Sequence, residues 1–417
     1  MGTQYPIEPF WKPTLLRHTL AIALSCWITF SGQAQVTGNP PGNGPAAPDD
    51  RQVEAARDQC IVFLLSHQES LARPEGEKGE WPYEGVYRVG GEIPIGYRIG
   101  GTAIVGTSLL DAPGLGQSEL RRDAIVRAAR FIIPALSNPL MSPTDYDGGY
   151  DVRGWGYTYA LLFLLRCQDE KILPEDLAPK AHEAAAFCID AIQRTAISQV
   201  GGWNYARSPG RDKVSPPSPF MTAPTLDALF EARARGHDID AGIVDKALDT
   251  LVRSRSPSGS VVYSGFAKEG GRNDPTPGAV GRMLASNTTL YLAGRVTLAD
   301  LRGSLDAFLV HWPWLDQRRA KPGTHSGPYS IAPYYFYYAH RAAARAIELL
   351  PANERAEYRR RLLALLFSVR QEDGTWNDRV FPRTAAFGTS CALMVMQAPQ
   401  AKAPARWESP APEPAPK

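Results

Sequence analysis

The acidic run Asp145-Tyr146-Asp147-Gly148-Gly149-Tyr150-Asp151 sets three carboxylates within seven residues. Carboxylates this close can divide acid and base or nucleophile roles, as cleavage between sugars requires. Their plainer use is to cap the following helix and order the Gly turn. His325, in Gly323-Thr324-His325-Ser326-Gly327, titrates near neutrality and suits a general base; a solvated loop histidine is the alternative. His340, among Tyr337, Tyr338 and Arg341, reads as a packed helix residue, and Arg359-Arg360-Arg361 as a solvated face. The sequence carries no G-x-S-x-G elbow, Walker loop or H-E-x-x-H, which removes the commoner hydrolase, NTPase and zinc-protease readings.

The elements that must position these residues repeat along the chain. Apolar stripes at i, i+3, i+4, i+7 recur at Ile61/Leu64/Leu65, Ile125/Ala128/Ala129/Ile132, Ala185/Cys188/Ile189/Ile192, Val244/Ala247/Leu248/Leu251, Leu301/Leu305/Phe308 and Leu362/Leu365/Leu366/Val369. Each predicts an amphipathic helix with one buried face. A Gly-plus-aromatic loop follows each stripe, as in Gly79-Glu80-Trp81-Pro82-Tyr83 and Gly201-Gly202-Trp203-Asn204-Tyr205. Gly allows the tight turn, and the aromatic plugs the seam between repeats. A second segment, apolar nearly all round, comes next: 100–110, 155–167, 221–234, 281–293, 331–350 and 384–397. Helices of that kind are buried on every face. Outer-inner pairs at a period of about sixty residues mean a repeat array. The expected fold is therefore all-α, an (α/α)6 toroid with inner helices around a central cavity.

The loops entering the inner helices form one mouth of that cavity. The ligand-binding residues expected there are Arg98, Trp155, Tyr157, Trp203, Tyr205, Arg282, Tyr334, Tyr335 and Trp376, with Asp145, Asp147, Asp151 and His325 as the catalytic candidates. Aromatic walls with sparse polar groups suit an apolar or ring-bearing ligand, although aromatics also simply fill cores.

Gln371-Glu372-Asp373-Gly374-Thr375-Trp376 resembles the Q-x-x-D-G-x-W repeat of the prenyltransferase/squalene-cyclase superfamily, and the other Gly-aromatic loops are degenerate versions of it. The resemblance covers the whole repeat region and implies a terpenoid cyclase-like toroid with an apolar or isoprenoid-like ligand. The acidic run lacks the D-x-D-D pattern of the cyclases. The prenyltransferase zinc set of Asp, Cys and His is not assembled by Cys391, His325 and His340, so neither a metal nor a cofactor is expected. The Cys-Gly-Glu-Gln run of thioester-bearing toroids is also absent. Two other functions stand beside the isoprenoid-like ligand. One is a non-catalytic scaffold presenting its loops to a protein partner. The other is a polysaccharide lyase or hydrolase using the Asp145/Asp147/Asp151 run, with Arg153 and Arg207 to meet uronate charge.

Lys12 and Arg17, the apolar run 19–30 and Ser31-Gly32-Gln33-Ala34 read as a signal peptide over 1–34 cut after Ala34, which predicts a periplasmic or extracellular protein. Residues 35–49 form a Gly/Pro-rich linker, 50–397 the toroid, and 398–417 a Pro/Ala-rich tail expected to stay extended or disordered. No segment of the mature chain is expected to span a membrane. With 45 basic against 43 acidic residues the chain is nearly neutral, which argues against nucleic acid held through phosphates. Cys60, Cys167, Cys188 and Cys391 remain after cleavage. They read as buried thiols, Cys188 lying on a core stripe, with Cys167–Cys188 and Cys60–Cys391 as the alternative bridges.

Overall fold

The structure, a computed structural model, describes residues 45–71, 78–144, 152–204, 216–269 and 273–409. Twelve helices follow one another in this region: α1 (Asp50–Ser66), α2 (Ile95–Asp111), α3 (Glu119–Ala135), α4 (Arg153–Asp169), α5 (Ala178–Thr195), α6 (Pro219–Ala234), α7 (Ala241–Arg253), α8 (Thr276–Leu292), α9 (Leu298–Asp316), α10 (Tyr335–Ile347), α11 (Ala352–Phe367) and α12 (Thr384–Gln397). Among the described residues only isolated β-bridges interrupt the helical pattern, such as Glu69 with Glu80 and Ser326 with Ile331.

The odd-numbered helices are amphipathic and stand outside. α7 buries Val244, Ala247, Leu248 and Leu251 along one stripe, and α3 buries Ile125, Ala128, Ala129 and Ile132. Sequence-local groups fix several of their starts: Asp49 with Gln52 and Thr297 with Asp300 form capping boxes, and Ser118 and Asp240 cap α3 and α7. The even-numbered helices are buried almost throughout. They pack α2–α4–α6–α8–α10–α12 and α12 returns to α2, so the inner ring closes. The expected all-α toroid is the observed fold.

A repeated clasp ties three of the six wedges together. The backbone N–H of Trp81 donates to Thr102 Oγ1 at 2.9 Å and its indole N–H to the Leu64 carbonyl at 2.8 Å. Trp203 repeats this with Thr222 and Ile192 at 3.0 and 2.8 Å. Trp376 does so with Thr389 and Leu366 at 3.1 and 2.9 Å. One aromatic thus joins the end of an outer helix to the start of the next inner helix and satisfies its own N–H while buried. Close approach of the inner helices demands glycine at position 100, where a Cβ would stand 2.3 Å from Trp155 Cε3.

Several boundaries differ from the expectation: α2 and α8 begin at Ile95 and Thr276, ahead of the expected 100 and 281. The fifth inner helix begins at Tyr335 rather than 331, because Ser330 takes φ 50 and Ala332 precedes Pro333, a position that disfavours helical backbone. In the tail, Ala398–Gln400 form a 3-10 turn continuing from α12, and the described residues after it lie against the body. Trp407 is buried, stacked on Phe230 with ring centres 5.5 Å apart and covered by Arg233 at 4.2 Å. Its backbone N–H donates to the Leu292 carbonyl, and that of Ala405 to Glu231. One large aromatic in a Pro/Ala-rich segment, helped by Arg406 over the Tyr291 ring and Ser409 bonded to Asp245, holds it there. No helix of the described residues is long and apolar enough to cross a membrane.

Candidate active site in the barrel mouth

The first turns of five inner helices, with Tyr83, enclose a cavity on the barrel axis of about 620 Å³, counting the space open to solvent. Its wall is formed by Tyr83, Tyr97, Trp155, Tyr159, Phe220, Tyr334, Tyr338 and Phe387, with Val152, Met221, Arg341 and Cys391 between the rings. The rings interlock edge to face: Trp155 meets Tyr97 at 5.3 Å and Tyr159 at 5.2 Å, and Tyr83 meets Phe387 at 4.8 Å. Such packing sets the rings against one another, and the hydroxyls of Tyr83, Tyr334 and Tyr338 are bonded to Arg379, His325 and the Phe220 carbonyl. Trp155 and Tyr159 on α4, and Tyr334, Tyr338 and Arg341 along α10, are spaced i, i+4 and i, i+4, i+7, so each set falls on one helix face.

A polar rim surrounds the cavity. Arg379, buried, donates from Nε to the Tyr83 hydroxyl at 3.1 Å and lies over the Tyr334 ring at 5.4 Å. His325 Nδ1 is 2.9 Å from the Ser330 carbonyl and its Nε2 3.0 Å from the Tyr334 hydroxyl. Since a carbonyl only accepts, Nδ1 carries the proton in the neutral ring and Nε2 accepts from Tyr334. Burial, together with Arg282, Arg379 and Arg318 nearby, lowers the pKa of His325, so the neutral ring is favoured. Behind the rim Asp378 is fully buried with neither carboxylate oxygen hydrogen-bonded, and burial raises its pKa to about 7 against the opposing pull of Arg379.

The other residues expected at the mouth are dispersed. Trp155 and Tyr334 line the cavity. Tyr335 lies directly behind, its hydroxyl 3.1 Å from Arg282 Nη1, and Arg282 is held by Asp274 at 3.0 Å and by the Val261 and Gly278 carbonyls. Arg98 forms a two-pronged pair with Glu80, both contacts 2.7 Å, and covers Phe131 of α3. Tyr157 points outward, bonded to the Met141 carbonyl and packed on Phe187. Trp203 and Trp376 are the clasps described above. Arg153 bonds the Ser142 carbonyl. Asp145, Asp147, Asp151, Tyr205 and Arg207 lie outside the described residues. His340 is packed, accepting from Trp312 Nε1 at 3.0 Å, with burial lowering its pKa to about 4.

Tyr83, Tyr159, Phe220, Tyr338, Arg341 and Phe387 complete the wall although sequence reasoning did not single them out as a site. The α10 spacing carried the available signal. The four thiols Cys60, Cys167, Cys188 and Cys391 are free and buried. Among the described residues no three His, Cys, Asp or Glu side chains converge as a metal site would require.

At the opposite end of the barrel the last turns of the inner helices surround a second chamber of about 1590 Å³, counting open solvent, crossed by the tail from Ala398 to Pro404. Its charges are largely paired: Arg166 with Asp111 at 2.8 Å, Arg235 with Asp169 and Glu231 at 2.6 Å each, and Arg345 with Asp227.

No protein-family model matches the chain, and no curated protein matches it. Solved structures do. The unsaturated glucuronyl hydrolase of Bacillus sp. GL1, responsible for glycosaminoglycan degradation, superposes with a TM-score of 0.55 at 13% identity, over 86% of this chain and 99% of that one. The GH76A α-1,6-mannanase of Salegentibacter sp. HEL1_6 gives 0.51 at 12% identity, over 83% and 98%. An inactive double-aspartate variant of that mannanase, solved with α-1,6-mannotetrose, gives the same TM-score of 0.51. The matched enzymes are α/α toroids, and at these identities the likeness establishes the architecture. The prenyltransferase/squalene-cyclase family as such gains no support from them.

Proposed function

We propose that this chain is an exported carbohydrate-active toroid that binds a saccharide in the aromatic cavity and cleaves it with carboxylates of the Asp145/Asp147/Asp151 run. The observation that carries this reading is the wall itself: eight aromatic rings, five of them tyrosines, around one axial cavity at the start of the inner helices. The apolar faces of sugar rings pack on aromatic rings, while their hydroxyls need donors and acceptors at the ring edges, which tyrosines supply. The acidic run lies immediately before Val152, which lines the cavity. Matched toroids being glycan-cleaving enzymes supports the same reading. Export rests on the leader reading of residues 1–34 and is tested by finding Gln35 as the mature N-terminus.

An apolar, isoprenoid-like ligand is the second reading, favoured by a wall in which no described carboxylate takes part. A non-catalytic scaffold needs no preformed cavity, and the one present speaks for a ligand. Incubating the mature protein with α-1,6-mannotriose and with glycosaminoglycan fragments, and following products by mass spectrometry, tests the proposal. Cleavage lost on replacing Asp145, Asp147 and Asp151 by Asn supports it. Binding of geraniol or farnesol, with no saccharide bound or cut, overturns it in favour of the second reading.

A further inference from the structure

Arg341 is the one charged side chain in the wall of the aromatic cavity among the described residues, and it also borders the chamber beyond. It stands seven residues after Tyr334 on the same face, so at 1.5 Å per residue it lies about 10 Å deeper. Its guanidinium lies 5.4 Å from the centre of the Tyr159 ring and is hydrogen-bonded to that side chain. The neighbouring carboxylates are engaged elsewhere. Asp227 accepts from Thr289 at 2.9 Å and pairs with Arg345, and Asp111 accepts from Arg166 at 2.8 Å. Arg341 makes no ion pair among the described residues. Asp227 and Asp111 are near enough to act on Arg341 electrostatically, but with no carboxylate bonded to it directly the guanidinium, set against an aromatic ring and lining the cavity, keeps donors for an anionic ligand.

A second observation points the same way. Among the described residues none of the six inner helices has a side-chain hydrogen bond capping its N-terminus, whereas four of the outer helices do. The inner helices start at the mouth, so first-turn N–H groups and the positive ends of the helix dipoles face the entering ligand.

We propose that the cavity recognises an acidic saccharide, a sugar ring bearing a carboxylate that ion-pairs with Arg341 at the cavity floor. The saccharide part rests on the function proposed above; the anionic part does not. The pair forms without covalent change, and the aromatic wall holds the ring while the guanidinium selects the charge.

Isothermal titration of the mature protein at pH 7 tests this with five probes: tri-galacturonate, galactotriose, a sulfated galactotriose, geranic acid and geraniol. A charge-assisted bond predicts that tri-galacturonate binds roughly 10- to 100-fold more tightly than galactotriose. Arg341→Gln should bring the acidic trimer down to the neutral one's affinity, and Arg341→Lys should retain part of the gap, since lysine offers a point charge but no fork. Should the glutamine variant not fold, as judged by circular dichroism, the lysine variant and a salt titration of the native protein decide. The tri-galacturonate affinity should fall with salt and the galactotriose affinity should not. Equal binding of acidic and neutral trimers, or a gap that survives Arg341→Gln, overturns the proposal. Preference for the sulfated trimer over tri-galacturonate overturns the carboxylate. Binding of geranic acid over geraniol that depends on Arg341, with no sugar bound, overturns the saccharide reading and upholds the anion pair. Binding of none of the five overturns both.

Discussion

Replacing Asp378 by Asn should free the fold from a pH dependence that the wild-type chain carries. Asp378 is fully buried and both its carboxylate oxygens lack hydrogen-bond partners. Burial lifts its pKa from 3.8 to about 7, with Arg379 opposing. Below pH 3.8 the folded and unfolded chains both hold the proton. Between that and pH 7 the folded chain keeps it and the unfolded chain releases it, so stability falls as pH rises, and above pH 7 the loss is complete. At about 1.36 kcal/mol per pH unit across that window the wild type loses roughly 4 kcal/mol, an order-of-magnitude figure. Asn has no proton to exchange. The stability difference between variant and wild type should therefore grow in the variant's favour from pH 4 to pH 7 and level off above. Urea unfolding followed by circular dichroism at pH 4, 5.5, 7 and 8.5 measures it. A difference that stays flat across the range, or one that moves toward the wild type as pH rises, would refute the buried-acid argument.

Thr389→Val leaves the buried Trp376 N–H unpaired while keeping the side-chain shape, and should cost about 1–3 kcal/mol, read as a lower urea midpoint. Trp407→Ala should release the tail from the barrel. Core Trp→Ala changes cost about 3–5 kcal/mol, and here the loss should show first as proteolysis between residues 398 and 409, mapped by mass spectrometry. Gly100→Ala sets a Cβ 2.3 Å from Trp155 and should shift that ring, changing its fluorescence and weakening saccharide binding together. Native protein should resist iodoacetamide, since burial raises the pKa of Cys60 and Cys391 to about 12 each. The unfolded mature chain should take up four equivalents; fewer would mean a disulfide.

The architecture was legible because each outer helix has one wet face. The stripe Val244, Ala247, Leu248, Leu251 returns in the structure with every member buried. The clasps were legible in kind, since a Gly-aromatic loop between two helices has little to do except plug a seam, but not in direction. Trp203, Trp376 and Trp155 look alike in sequence, yet the first two turn back to outer-helix carbonyls and only Trp155 faces the cavity. A helix buried on all sides gives no periodicity to say which face meets the axis, so Phe387 and Cys391 on α12 could not be told from their neighbours. α10 carried a partial signal: Tyr334, Tyr338 and Arg341 share one face by their i, i+4, i+7 spacing, but with most of its alanines buried too nothing marked that face as the one turned to the axis. Asp378 could be placed near the mouth from its position after Trp376, but its character comes from burial near Tyr83 and Tyr337, which no local pattern records.

The closure of the inner ring through α12 and α2 has a kinetic side. Gln397 bonds the Ser108 carbonyl across 289 residues, and Arg370 meets Gln59 across 311. A chain emerging from its N-terminus therefore makes its first and second helices long before their partner exists. The intervening wedges can stack in order, each on the last, but the apolar flank of α2 stays open until the final hairpin arrives. Contacts of such long range are slow to form, because the loop must close before they reward it. Losing the last repeat should consequently harm the first one most, leaving an arc with two sticky ends instead of a shorter ring.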